Sequence, residues 1–110
     1  TLDELRDVLA ELPATIPVSQ YVALKETLPR VVWNETSMEQ NYGSNGADDL
    51  LIRVVVELIA PPSDTSAVWT VIQLFRDNEI AFTCACGYDE NNNFVSYEFS
   101  IYVTEAFPDD

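Results

Sequence analysis

The sequence predicts an α+β fold: two N-terminal helices packed on one face of a four-stranded antiparallel meander, in the order α-α-β-β-β-β. Three observations lead there. Residues 48–60, DDLLIRVVVELIA, alternate with period 2. Leucines near the N-terminus recur at helical spacing. Clusters of Pro, Asp, Asn and Ser cut the second half into strand-length pieces.

The first helix is predicted over about 2–12. Thr1 and Glu4 fit a capping box, and Leu2, Leu5, Val8, Leu9 and Leu12 share a face until Pro13 stops the run. Asp3, Glu4 and Asp7 suit the positive end of the helix dipole. Asp3, Asp7 and Glu11 fall in one row along the exposed side. A second helix is predicted over 18–28, with Tyr21, Val22, Leu24 and Leu28 inward and Pro29 as its stop. Val31-Val32-Trp33 suits either a short strand or a further helical stretch, and Tyr42–Ala47 reads as a loop.

The strand at 48–60 has a wholly apolar side, Leu50, Ile52, Val54, Val56 and Leu58, and a mixed side with Arg53 and Glu57. Pro61-Pro62 ends it. Further strands are predicted at about 66–76, 79–87 and 94–104, joined by an Asp77-Asn78 hairpin and a polar loop at 88–93. On the last strand Val95, Tyr97, Phe99, Ile101 and Val103 form the apolar side. The other face of this meander would carry Trp69, Val71 and Tyr102 beside Glu57 and Glu98, an apolar patch rimmed by acids.

With 110 residues the chain makes one domain, 1–110. Its 19 acidic residues outweigh 5 basic ones, and the net charge is −14. Such a field repels nucleic acid and anionic membranes and draws basic partners. No apolar run approaches the ~18 residues of a membrane-spanning helix. There is no histidine, which removes Ser-His-Asp and Cys-His nucleophile pairs and histidine zinc sites. No phosphate-binding glycine loop and no S-x-x-K occurs.

Cys84 and Cys86 are too few for a zinc site and read as reduced core thiols of a cytoplasmic protein. Asp89-x-Asn91-x-Asn93 matches the start of a calcium loop, but Phe94 and Ser100 occupy its glycine and glutamate positions. The exposed carboxylate pairs sit in caps and turns rather than a cleft. No catalytic residue, metal ligand or cofactor is predicted, and an enzyme is not expected.

The expected function is a small acidic protein–protein binding module. It would act as an inhibitor, an immunity protein or a nucleic-acid mimic on the basic surface of a nuclease or other nucleic-acid-binding protein. Asp3, Asp7, Glu11, Asp48, Asp49, Glu57 and Glu98 are the expected partner-binding acids, and Trp69, Val71 and Tyr102 the expected interface apolars. One alternative is a salt-adapted assembly domain that forms a homodimer through the outer sheet face. Another is a small-molecule carrier lined by Tyr21, Trp33, Tyr97 and Phe99. Mimicry groups acids on one face, whereas adaptation to salt spreads them.

Overall fold

The computed structural model of the chain describes residues 1–22, 27–42 and 48–106. The elements are α1 (Leu2–Leu9), β1 (Val18–Gln20), β2 (Arg30–Tyr42), β3 (Asp48–Ala60), α2 (Ser66–Asp77), β4 (Thr83–Asp89) and β5 (Phe94–Ala106). The strands form one mixed sheet in the order β1-β2-β3-β5-β4.

β3 is the centre of that sheet. It pairs antiparallel with β2 on one side and with β5 on the other. Val56 stands in register with Trp33 of β2 and Phe99 of β5, so three large apolar side chains share one row of the inner face. Ile52, Val54, Val56 and Leu58 are buried on that face, as the period-2 pattern requires. Removing such side chains from water is what drives the sheet against its cover.

The cover is the helical layer. The Thr1 hydroxyl accepts the Glu4 N–H at 3.2 Å and starts α1, whose Leu5 and Leu9 are buried. The helix ends at Leu9 rather than 12. Single turns carry the chain on, with Leu12 N–H bonded to the Leu9 carbonyl, and Leu12 and Ile16 are still buried. α2 lays Ala67, Val68, Val71 and Phe75 on the sheet. Phe75, Phe82 and Phe99 meet pairwise in tilted or edge-to-face contact, with ring centroids 5.6, 5.4 and 5.1 Å apart.

Asp64 caps α2 from one position before its N-cap, accepting from the Ser66 hydroxyl at 2.7 Å and the Ser66 and Ala67 amides at 3.1 and 3.3 Å. These donors, the hydroxyl first, hold its pKa below the usual carboxylate value. At the other end Glu79 takes the left-handed conformation, φ 57, and the Ile80 N–H returns to the Phe75 carbonyl at 2.8 Å. This is a Schellman closure with glutamate where glycine is usual.

The predicted architecture of two N-terminal helices on an antiparallel meander is therefore corrected. One helix is N-terminal and the other lies mid-chain, and the sheet has five strands of mixed sense. The predicted helix 18–28 begins instead as β1, parallel to β2 through Val18↔Val31 and Gln20↔Trp33. Its stretch 23–26 lies outside the described residues, as does 43–47 of the predicted loop. The predicted strand 66–76 is α2: a run that is apolar on both strand parities suits a helix burying one broad stripe. The Asp77-Asn78 hairpin is accordingly the end of that helix. The strand predicted at 79–87 is β4 at Thr83–Asp89, because the Schellman closure and Phe82 still belong to the helical layer. The last strand runs two residues beyond 104. β2, only glimpsed as Val31-Val32-Trp33, has 13 residues.

Candidate functional site

Both helices lie on the inner face, so the outer face of the sheet is open among the described residues. Its middle is built from β2, β3 and β5. Val32, Asn34, Arg53, Val55 and Glu57 are half-buried, and Glu98 is exposed. Together with Tyr21 and Thr36 they line a shallow saddle of about 450 Å³.

A β-bulge shapes one wall. Register shifts between Glu35 and Ser37, which leaves Thr36 as the extra residue. Thr36 donates its hydroxyl to the Arg53 carbonyl at 3.2 Å, and the same oxygen accepts from Arg53 Nη1 at 3.0 Å. Arg53 Nη2 donates to Ser100 Oγ at 2.9 Å. Arg53 is thus tied across three strands, and its guanidinium is turned to neutral hydroxyls. Beside the saddle the Tyr21 hydroxyl donates to Glu35, and that bond, ahead of burial and the charge of Glu35, raises the tyrosine pKa.

Glu57 and Glu98 face one another directly across β3 and β5. Burial, and next the Glu98 charge, push the Glu57 pKa up, while Ser96 and Arg30 pull against them. Two facing carboxylates on a half-buried surface repel, and a cation set between them would relieve both.

The other predicted site residues are dispersed. Asp3, Asp7 and Glu11 are exposed on the helical layer, and Asp3 is held by Arg6 Nη1 at 3.0 Å. Asp49 sits eight positions from Glu57 on β3, roughly 26 Å along the strand. Asp48 is at the strand end, in backbone register with Tyr42. Tyr102 is on the open face and 61% exposed, as expected. The other two interface residues are corrected. Trp69 and Val71 belong to α2, where Val71 is fully buried and Trp69 looks into solvent at 66% exposure.

The cysteines are likewise displaced from the expected core. Both are exposed on the edge strand β4. Partial burial of its sulfur, then the neighbouring Cys86, pushes the Cys84 thiol up to about 11, so it stays protonated at neutral pH. Trp33 and Phe99, two of the candidate carrier-pocket residues, are packed core, whereas Tyr21 is exposed. Among the described residues no group of three or more acidic or thiol ligands could hold a metal ion, and no helix is long and apolar enough to cross a membrane.

Sequence reasoning missed Val32, Asn34, Thr36 and Arg53 as a group. Only the mixed side of residues 48–60 pointed toward them. No protein-family model matches the chain, and no curated protein does.

Proposed function

We propose that the protein is a small acidic binding module that receives a basic partner protein on the open face of its sheet. The observation that carries this is the Glu57–Glu98 pair: two carboxylates held face to face at the centre of an uncovered surface. Val32 and Val55 flank it with apolar area suited to contact, and Tyr102 lies farther along β5 opposite Arg53. A lysine or arginine entering the saddle would bind both carboxylates, and the net charge of −14 would speed its approach. The finer form of this reading is an inhibitor or nucleic-acid mimic on a nuclease or other nucleic-acid-binding partner.

The test is binding of an arginine decamer by calorimetry. Glu57→Gln with Glu98→Gln should weaken it about three- to tenfold at low salt, the scale of two partly exposed ion pairs. The triple amide variant of Asp3, Asp7 and Glu11 should bind nearly as the parent does. The reverse ranking would move the partner to the helical layer.

A second reading has one specific observation in its favour. Acids stand on both layers of the fold, with Asp3, Asp7 and Glu11 on one and Glu57 and Glu98 on the other. That spread is what adaptation to a salt-rich solvent would leave, with the open face then pairing two copies of the chain.

A further inference from the structure

A groove lies where two strands stop being neighbours. β4 pairs with β5 from Asp89↔Phe94 to Thr83↔Ser100 and no further. β5 runs on to Ala106, paired on its other side to β3 as far as Asp49. Among the described residues, 101–106 of β5 therefore have a strand on one side only. The chain that would have lined the vacant side rises instead through Ile80 and Glu79 into α2. An edge left this way presents backbone N–H and C=O groups that have no ladder partner.

Beside that edge runs a cleft of about 580 Å³ between α1 and residues 78–81. Val8, Ile80 and Val103, all half-buried, give it an apolar floor. Glu4 and Glu79 stand exposed at its rim. Glu79 holds its carboxylate there from a left-handed backbone, φ 57, that disfavours any side chain. Natural sheet edges are blunted by lysine, proline or bulges. Ile101-Tyr102-Val103-Thr104 contains no charge and no proline and pairs with β3 without a register shift, and Glu105 beyond it accepts the Leu2 N–H and marks where α1 closes the open edge.

We propose that the open edge of β5 and its cleft accept an extended segment of a partner protein as an added strand, one that alternates apolar and cationic residues. Its backbone would complete the ladder of β5, and its apolar side chains would fill the floor. Its lysines or arginines would meet Glu4 and Glu79. Charge decides against a second copy as the occupant, because each copy brings the same two carboxylates and a net charge of −14. This site shares the cationic partner of the proposed function but does not need the saddle around Glu57.

The experiment is a titration of the ¹⁵N-labelled chain with the blocked hexapeptide Lys-Val-Lys-Val-Lys-Val, followed by amide shifts. The expected result is movement at residues 101–105, Val8 and Ile80. N-methylation of alternate peptide amides should weaken binding at least about tenfold, as should Glu4→Lys with Glu79→Lys, two exposed changes whose spectra report folding directly. Four results would overturn the proposal. They are no shifts at millimolar peptide, shifts confined to the Glu57–Glu98 face, equal binding of the N-methylated peptide, or concentration-dependent shifts at the edge without peptide. The second of these would leave the proposed function standing, whereas shifts at the edge with the saddle unmoved would support this site alone.

Discussion

At Glu57 the sheet sets two like charges side by side and partly removes one from water. A carboxylate whose pKa is raised holds its proton more tightly folded than unfolded. Stability is therefore lost as pH rises from the ordinary value of 4.5 through the raised one. Glu57→Gln removes it. The variant should be more stable than the parent in urea at neutral pH, by roughly 0.2–1 kcal/mol. The gain should fade once pH falls below ~4, where both proteins are neutral at this position. A variant less stable at neutral pH would mean that Glu57 has a structural partner stronger than its repulsion. Little of this was legible beforehand. The mixed side of residues 48–60 placed Glu57 and Arg53 on one face, but the predicted meander set two strands between 48–60 and 94–104, so neither their pairing nor the register that puts Glu98 opposite Glu57 followed from the sequence.

Among the elements, β3 was fully legible because its inner face is covered from Ile52 to Ala60 and each inward position had to be apolar. β2 was not. Val31 and Trp33 are buried inward, but Met38 beyond the bulge is 58% exposed, so the alternation dissolves where the helical cover ends. α2 was misread for a different reason. Val68, Thr70, Val71 and Ile72 are β-branched, and tertiary demand for a cover overrode that preference. The signal that would have found it is Ser63-Asp64-Thr65-Ser66 after two prolines, a helix start in composition and, through Asp64, in fact. The helix assignment makes a sharp contrast measurable by urea unfolding. Phe75→Ala should cost about 3–5 kcal/mol, since the ring is fully buried against Phe82 and Phe99. Trp69→Ala should change stability by less than about 0.5 kcal/mol, because the indole projects into solvent. On a strand at 66–76 these two residues would share a face and respond alike, so similar costs would contradict the helix.

For the molecule as a whole, the sequence disclosed the charge, the α+β class and a helical layer opposite an acidic sheet face, while the pairing of acids across that face came only with the fold. Asp3 on the helical layer and Glu98 on the opposite sheet face follow from the sequence pattern, whereas Glu57 and Glu98 meet only because β3 and β5 are neighbours. The consequence is functional. Open sheet and helical layer are both acidic, and among the described residues the former sets two carboxylates face to face across paired strands, in a saddle floored by Val32 and Val55. The measurement that tests this most directly is amide-shift mapping of the labelled chain with an arginine decamer at low and high salt. Shifts centred on Val32, Val55, Glu57 and Glu98, lost at high salt, are the expected result. Shifts centred on Asp3, Asp7, Glu11 and Trp69, with the open face unmoved, would contradict a basic partner seated on the sheet.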